Sequence, residues 1–198
     1  MCDCGEKAHA KPIRLIAAAC NNMGIGKNGY LPWNLPSEFT FFLDTISSVS
    51  TPGMKNLLVW GRKCWEAFPE SLRPLPNTMH VVLSRTLRQV ISVPKHAQYL
   101  CSDLQGSVKL GSTHPLSEVI ETIWIIGGVE PYIEALQHPW CDLVYLTDVQ
   151  ADFECDTYFP EFNNNVYKLV DEFPGVPSGI QEENGIKFKY QVFKKVAQ

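Results

Sequence analysis

A glutamate stands in the first turn of a predicted helix whose other side chains are largely apolar. The helix is predicted from about residue 36 to residue 47, and Glu38 shares a face with Phe41 and Phe42, three and four residues on. A carboxyl group among apolar side chains has a raised pKa and can hold or release a proton near neutral pH. An acid in a first turn can also simply complement the helix dipole. This stretch alone leaves both interpretations open.

Three short clusters with phosphate-binding character each follow a predicted strand. They are Gly61–Lys63, Ser84–Arg85 and Gly127–Gly128. Bare backbone N–H groups at a helix start and fixed cations both bind phosphate, and the carboxyl ends of parallel strands meet at one edge of a sheet. Together the clusters predict an anionic cofactor with separated phosphates. The arginine favours a 2′-phosphate, and hence NADPH over NADH.

A fourth glycine-rich stretch, "GIGKNG" at residues 24–29, fits the pattern G-x-G-x-x-G. The dinucleotide fingerprint must open a helix, so that the pyrophosphate meets the helix N-terminus. Here the glycines run into "YLPWNLP", which cannot be helical. We therefore reject the dinucleotide interpretation and expect a mobile flap over a site.

The elements that would position these residues alternate along the chain. Apolar runs predict buried strands, and helical stretches follow several of them: residues 36–47, 62–68, 129–138 and a polar segment after residue 101. Alternating patterns at 168–173 and 185–196 predict antiparallel strands at the C-terminus. The fold class predicted is α/β, one domain with a mostly parallel central sheet and an antiparallel C-terminal edge. The predicted buried strands are residues 13–20, 55–61, 79–84, 97–101, 122–128 and 141–149.

Composition narrows the function classes. The 198 residues are 45% hydrophobic and carry a net charge of −4, so nucleic acid is not the expected partner, and no apolar run is long enough to span a membrane. Seven scattered cysteines predict reduced thiols and a cytoplasmic protein, and Cys2 and Cys4 lack partners at zinc-finger spacing. No metal is predicted. Residues 1–11 are expected to form a flexible polar tail before a domain at 12–196.

The motifs resemble dihydrofolate reductase, most closely the animal type. The resemblance is carried by "GIGKNGYLPWNLPSEFTFF", "VWGRKCWEAFPE", "HVVLSR", "IWIIGG", "LTDV", "DFECDTYFPE" and "QEENGIKFKYQVF", in order from about residue 13 to residue 194. It implies an eight-stranded sheet, about four helices and a monomer. It also implies NADPH-dependent reduction of 7,8-dihydrofolate to 5,6,7,8-tetrahydrofolate, with the hydride going to pterin C6 and the proton to N5, and binding of antifolate-type small molecules.

The resemblance also assigns residues. Glu38 would orient the pterin and promote protonation of N5, with Thr147 holding the carboxylate and a water near Trp33 and Leu31 completing the proton path. The substrate-binding residues implied are Ile16, Ala17, Glu38, Phe39, Phe42, Phe68, Leu72, Leu75, Thr78, Ile126 and Thr147. The cofactor-binding residues implied are Ala18, Gly24, Ile25, Gly26, Gly29, Gly61, Arg62, Lys63, Cys64, Leu83, Ser84, Arg85, Ile126, Gly127, Gly128, Val129, Glu130 and Tyr132.

Two positions depart from the family pattern. Thr78 stands where the family has an arginine that clamps the substrate's glutamate tail, and Arg73 or His80 could take over that task. Cys64 stands where a threonine usually helps to anchor the cofactor, and its thiol is the weaker hydrogen-bond donor. Two other functions therefore stay open: a reductase of dihydropterins that lack the tail, and a non-catalytic relative that binds NADPH or pterin.

Overall fold

Strands and helices alternate over residues 9–86 and 97–196, which are the residues that this computed structural model describes. The α-helices there are α1 Pro36–Ser47, α2 Arg62–Ala67, α3 Leu104–Ser112 and α4 Val129–Gln137. The strands there are β1 Ile13–Ala19, β2 Gly24–Gly26, β3 Lys55–Gly61, β4 Thr78–Leu83, β5 Tyr99–Cys101, β6 Ile120–Gly127, β7 Cys141–Val149, β8 Thr157–Tyr158, β9 Tyr167–Leu169, β10 Ile180–Glu183 and β11 Ile186–Lys195.

One large sheet organises the protein. Its strands lie in the order β10-β11-β7-β1-β6-β3-β4-β5, and β9 pairs with β11 outside that path, which makes nine strands within the described ranges. The pairs from β7 to β5 are all parallel, whereas β11 is antiparallel to β7, β9 and β10. The predicted α/β class with an antiparallel C-terminal edge is confirmed, and the ninth strand is the short β9.

The central strands are apolar throughout because both faces of the sheet are covered. In β3, the side chains from residue 56 to residue 60 are all buried, and β6 is nearly as continuous. Two clusters of buried side chains result, one containing Leu15, Val59 and Ile125, the other Leu58, Trp60 and Trp124. The parallel register then brings the carboxyl ends of β1, β3, β4 and β6 to one edge of the sheet, where the predicted site residues lie.

Helix α1 begins at Pro36, whose missing N–H costs nothing in a first turn. Its N-terminus is capped by Glu183 of β10, which accepts hydrogen bonds of 2.9 Å from the backbone N–H and the hydroxyl of Ser37. Glu38 therefore does not serve as the capping acid. The ring of Phe41 packs on Tyr190 of β11, 4.2 Å between centroids.

Several short strands differ from the sequence prediction. Residues 24–26 form β2, not loop, and pair with β8, which was not predicted. Strand β10 was also not predicted, and the strand expected at 168–173 ends at Leu169 as β9. Each of these strands has four residues or fewer, so its existence depends on a distant partner and not on its own hydrophobic pattern.

The chain just before β1 is held to the domain by hydrogen bonds. The backbone N–H of His9 donates to the Ser112 carbonyl over 2.8 Å, and Lys11 Nζ donates to the Ser117 carbonyl over 2.6 Å. The first eight residues of the predicted tail, with Cys2 and Cys4, lie outside the described residues. Within the described ranges, no helix has both the length and the apolar character needed to cross a membrane.

Candidate active site

The predicted substrate-binding residues are largely brought together by one apolar cluster. Phe39 on α1 lies between Phe42 and Phe68, with ring centroids 5.9 Å and 6.2 Å away. Ala17 is the exception, since it packs with the core on the other side of the sheet. The members of the cluster that were predicted from the sequence are Ile16, Phe39, Phe42, Phe68, Leu72, Leu75 and Ile126.

Glu38 is the buried carboxyl group of this region, and it is only 6% exposed. The Thr147 hydroxyl donates to its Oε1 over 3.0 Å. Burial raises the pKa of Glu38 to about 7, and the hydrogen bond from Thr147 offsets part of that rise. At neutral pH the carboxyl group therefore exchanges a proton readily, as its apolar neighbours predicted.

The sheet register explains why Thr147 reaches Glu38. Thr147 on β7 lies opposite Ala18 of β1 and opposite Tyr190 of β11. Tyr190 is a neighbour of Glu38 that sequence reasoning did not assign to the site. Burial, followed by the carboxylates of Glu38 and Glu183, raises the pKa of Tyr190 to about 12. Its place in the alternating pattern of the last strand was the only available signal.

The two residues expected beside the proton path have different surroundings. Trp33 is buried with its ring 5.5 Å from that of Phe153, and its indole N–H has no hydrogen-bond partner among the described residues. Leu31, two residues before Trp33, is 49% exposed. A buried indole N–H of this kind is a ready donor to a small polar ligand.

Two of the predicted phosphate-binding clusters touch each other. A Cβ built on Gly61 would lie 2.7 Å from the backbone nitrogen of Gly128, so the close approach requires glycine. Gly128 caps α4, and a Cβ there would meet nothing within 4 Å. The strand end of β3 and the N-terminus of α4 thus form one glycine-lined concavity, which includes Val129 at the first position of the helix.

Tyr132 ties the side of the sheet edge that carries the apolar cluster to this concavity. Its buried hydroxyl lies 2.9 Å from the carbonyl of Ile16 and 2.6 Å from that of Ile126, and its single proton is shared between these two acceptors. These carbonyls belong to the middle of β1 and to the end of β6, which are adjacent parallel strands. Burial raises the pKa of Tyr132 well above its ordinary value, so the hydroxyl remains a donor.

The Ser84–Arg85 cluster is joined to the first turn of α4, next to Gly127–Gly128, by an ion pair. Arg85 Nη2 pairs with the Glu130 carboxylate on α4, and both side chains are exposed. Arg62 is instead held by Glu66 and Thr86, and Lys63 is exposed. A cleft is lined there by five predicted cofactor residues, Gly61, Leu83, Ser84, Arg85 and Glu130, and by five that sequence reasoning missed, Ser102, Asp103, Leu104, Pro131 and Glu134.

The missed cleft residues had a usable signal. Ser102 and Asp103 directly follow the predicted strand at 97–101, whose carboxyl end lies at the same edge as the others. The predicted flap residues Gly24, Ile25 and Gly26 form β2, with Gly29 in the turn that follows. Ala18, also predicted to face the cofactor, is half-buried and packs against a third cluster, which contains Trp33 and Val149.

Comparison with known proteins decides the family. The family model "Dihydrofolate reductase" matches residues 12–195. Dihydrofolate reductase from Rattus norvegicus is 41% identical over 186 residues, which cover 93% of this chain and 98% of the rat protein. The Bos taurus protein is 42% identical over 188 residues, at 93% and 98% coverage. The chain belongs to the dihydrofolate reductase family. It is thus an oxidoreductase by family.

A solved structure shows the same relationship in three dimensions. Schistosoma mansoni dihydrofolate reductase superposes with a TM-score of 0.80 at 34% identity, covering 96% of this chain and 100% of that one. The resemblance inferred from the ordered motifs, animal type included, is confirmed.

Within this dihydrofolate reductase family member, Thr78 is a neutral, buried end of a hydrogen-bonded chain. The Trp60 indole N–H donates to His80 Nδ1 over 3.0 Å, which leaves the ring proton of His80 on Nε2. That nitrogen lies 3.3 Å from the Thr78 hydroxyl, which itself donates to the Leu75 carbonyl over 2.7 Å. His80 is 1% exposed. It offers no cation to a ligand, so the hypothesis that His80 replaces the missing arginine is not supported.

Arg73 is neither a solvated surface cation nor directed at Thr78. Its guanidinium carbon lies 3.8 Å from the centroid of the Trp65 ring, and its Nη2 donates to the carbonyls of Trp65 and Phe68, the latter over 2.7 Å. Its Nε is buried without a partner among the described residues, and burial lowers its pKa. Arg73 therefore stabilises the end of α2.

Cys64, the second departure, points its thiol toward the glycine pair. A Cβ built on Gly127 would lie 2.6 Å from Cys64 Sγ, and Gly127 has a φ of +155°. Burial raises the pKa of the Cys64 thiol, so it remains a neutral thiol at pH 7. The position that the family fills with a hydroxyl is thus a weakly polar contact in this chain.

The raised pKa of Glu38 makes folding pH-dependent in a defined direction. The folded protein binds the proton of Glu38 more tightly than the unfolded chain does, so its contribution to stability is lost as pH rises from about 4.5 toward about 7. Glu38→Gln removes that loss. We expect the variant to be more stable than the native protein above pH 7, by up to about 3 kcal/mol, and to be close to it below pH 4.5.

Urea unfolding at pH 5 and at pH 8 measures this difference, with the exposed Glu182→Gln as the matched control. A Glu38→Gln effect of equal size at both pH values would mean that the pKa of Glu38 is not raised by folding.

Proposed function

We propose that this chain catalyses the NADPH-dependent reduction of 7,8-dihydrofolate to 5,6,7,8-tetrahydrofolate. The observation that carries the proposal is the buried Glu38 carboxyl group, hydrogen-bonded by Thr147 inside an apolar cluster at the edge of the sheet. Family membership supports dihydrofolate reduction. The use of NADPH, the roles of individual residues and the binding of the glutamate tail rest on the chemistry of this chain's residues.

Glu38 would recognise the pterin ring through two parallel hydrogen bonds. A carboxylate accepts a fork of two N–H groups, such as the 2-amino group and the neighbouring ring N–H of a pterin. Thr147 fixes Oε1 from the sheet side, so the orientation of the carboxylate is set before a ligand arrives. The rings of Phe39, Phe42 and Phe68 would cover the pterin and exclude water.

The same group would supply the proton path to N5. With a pKa of about 7, Glu38 is a mixture of acid and carboxylate at neutral pH, which suits a group that both accepts and passes on a proton. The unpartnered indole N–H of Trp33 would hold a water on that path, below the exposed Leu31. The proton would then travel from solvent to N5 beside a fixed carboxyl group.

The residues at the other strand ends fit NADPH. The cofactor supplies the hydride for pterin C6. Gly128 leaves open space beside the N-terminus of α4, where a pyrophosphate would lie, and Gly61 lets the end of β3 pack closely against the Gly128 backbone. Tyr132 keeps β1 and β6 together. Arg85 is the side chain suited to a 2′-phosphate. Glu130 already forms an ion pair with Arg85 in this chain and would compete with that phosphate for the guanidinium group.

A second candidate function rests on Thr78. Because Thr78 and His80 are neutral and bonded to each other, the place of the expected tail clamp offers no charge. A chain that keeps the pterin site and lacks the clamp would suit dihydropterins without a glutamate tail. The third alternative, a non-catalytic paralogue, is an outcome of the assay below.

We also propose that the enzyme acts as a monomer in the cytoplasm. The cysteines at positions 20, 64, 101, 141 and 155 are all free thiols, as a reducing compartment would keep them. Small antifolates that carry an amidine-like fork would bind at Glu38 in the same way as the pterin.

The direct test is NADPH oxidation by the purified protein, with dihydrofolate and a tail-free dihydropterin compared side by side from pH 5 to pH 9. We expect dihydrofolate to give the larger kcat/KM, and turnover to decline above pH 7 as Glu38 loses its proton. Glu38→Gln should reduce kcat at least tenfold. A preference for the tail-free substrate would support the second function, and no turnover with either would support the non-catalytic one.

The tail clamp gives a second prediction. Thr78→Arg should lower KM for dihydrofolate about tenfold or more, because a charged pair with the tail carboxylate is restored. KM for the tail-free dihydropterin should change little. Thr78→Gln is the matched control, since it has similar length and no charge, and steady-state kinetics measure both. An unchanged KM in Thr78→Arg would show that another group already holds the carboxylate.

The cofactor assignment gives a third prediction. Arg85→Ala should weaken NADPH binding about tenfold, because one charge-assisted bond to phosphate is lost, and should affect NADH binding much less. Glu130→Gln should act in the opposite direction by releasing Arg85. Quenching of tryptophan fluorescence on titration gives both Kd values without turnover. Equal losses for NADPH and NADH would remove Arg85 from the 2′-phosphate site.

A further inference from the structure

We propose that Cys20 and Cys155 are a thiol-oxidation site, whose conversion to a disulfide ties the end of β1, which leads into the glycine-rich flap, to the segment before β8, on which the flap packs. Formation of the disulfide can be measured without reference to activity. Its effect on turnover rests on the proposed function.

The two thiols are already in contact. Cys20 ends the run that forms β1 and Cys155 lies 135 residues later, just before β8, yet their sulfur atoms are 3.7 Å apart and share a hydrogen bond. Cys20 is 3% exposed, and Cys155 is partly buried and provides the side from which solvent can approach. A disulfide requires the two sulfurs to approach from 3.7 Å to about 2.05 Å.

Gly24 provides the space for the thiol pair. Its φ is −68°, a value that any residue adopts, so backbone conformation does not explain the glycine there. A Cβ at this position would collide with Cys155 Sγ, and would lie 2.7 Å from Cys155 Cβ and 3.1 Å from Cys20 Sγ. The flap backbone is therefore packed directly on the two thiols. A bond between the thiols would change the surface on which the flap rests.

The flap and its support are otherwise joined by non-covalent bonds. The Asn21 backbone N–H donates to the Ala151 carbonyl over 3.1 Å, and the Phe159 N–H donates to the Met23 carbonyl over 2.8 Å. Farther out, Lys27 pairs with Glu154 at 2.8 Å. An exposed ion pair of this kind contributes little, and the joint is held mainly by backbone hydrogen bonds, which include the pairing of β2 with β8. A covalent bond at Cys20–Cys155 would hold it in the closed arrangement.

The reaction is a thiol–disulfide exchange with a small-molecule disulfide as the oxidant. The Cys155 thiolate attacks one sulfur of the oxidant and releases the first small thiolate. The Cys20 thiolate then attacks the Cys155 sulfur, which forms the Cys20–Cys155 bond and releases the second small thiolate. The two cysteines lose two protons and two electrons, and the oxidant becomes two thiols. A small dithiol reverses the reaction.

Oxidation should be slow at neutral pH. The thiolate is the reacting form, and burial together with the hydrogen bond from Cys20 raises the pKa of Cys155. The pair should therefore respond to sustained oxidising conditions, and it should remain reduced in a reducing compartment. Where opening of a lid limits product release, a covalent tie lowers kcat more than it affects substrate binding.

The test uses the full-length protein incubated with oxidised glutathione and then digested without reduction. We expect a Cys20–Cys155 linked peptide by mass spectrometry, a Tm raised by about 5 °C or more, and a kcat several-fold lower that dithiothreitol restores. Cys20→Ser and Cys155→Ser should show none of these changes on oxidation. Cys101→Ser, a partly buried thiol elsewhere, should behave like the native protein.

The outcomes separate the two proposals. A linked peptide and a raised Tm in a protein with no turnover would support the oxidation site and contradict the proposed function. Turnover without any linked peptide after prolonged oxidation would overturn the oxidation site and leave the proposed function intact. Loss of activity in Cys20→Ser and Cys155→Ser as large as in the native protein would assign the oxidative loss to another cysteine.

Discussion

The burial of one carboxyl group, that of Glu38, is the constraint on which the arrangement of the site depends. Removing a carboxylate from water costs several kcal/mol unless it is protonated or hydrogen-bonded. The fold offers a single hydroxyl donor, Thr147, and the result is a pKa of about 7. The helix that carries Glu38 takes its cap from Glu183 on a distant strand instead. Glu38 therefore does not have to stabilise the helix N-terminus, which is the usual role of an acid in a first turn.

The parallel sheet converts this local constraint into a two-part site. Strand β1 lies between β7, which carries Thr147, and β6, which leads into Gly127–Gly128. The end of β1 therefore adjoins both parts of the site. Tyr132 bridges β1 and the end of β6 with one hydroxyl, so the apolar cluster and the glycine-lined concavity cannot separate without losing that hydrogen bond. A hydride donor and its acceptor need such a fixed relationship, since transfer depends on orientation.

The sequence predicted these parts unequally, for physical reasons. Continuous apolar runs identify the buried strands, and Gly61 and Gly127–Gly128 could be placed at one edge because parallel strands align their ends. Short strands such as β8 carry no period of their own, so they could not be predicted. Pairings such as Arg85 with Glu130 and Cys20 with Cys155 join residues distant in the chain, and no local pattern encodes them.

The chain Trp60–His80–Thr78 shows how a neutral group can be enforced at a position where a charge is expected. An indole N–H can only donate, so His80 Nδ1 must accept, and a proton added there would place two donors 3.0 Å apart. His80 is also too deeply buried for water to compensate such a charge. The Thr78 hydroxyl, which donates to the Leu75 carbonyl, is already used. Under the proposed function, ligand discrimination would therefore be asymmetric: the ring end of a substrate would meet an ionisable carboxyl group, whereas a tail at Thr78 would meet a neutral side chain already used in a hydrogen bond.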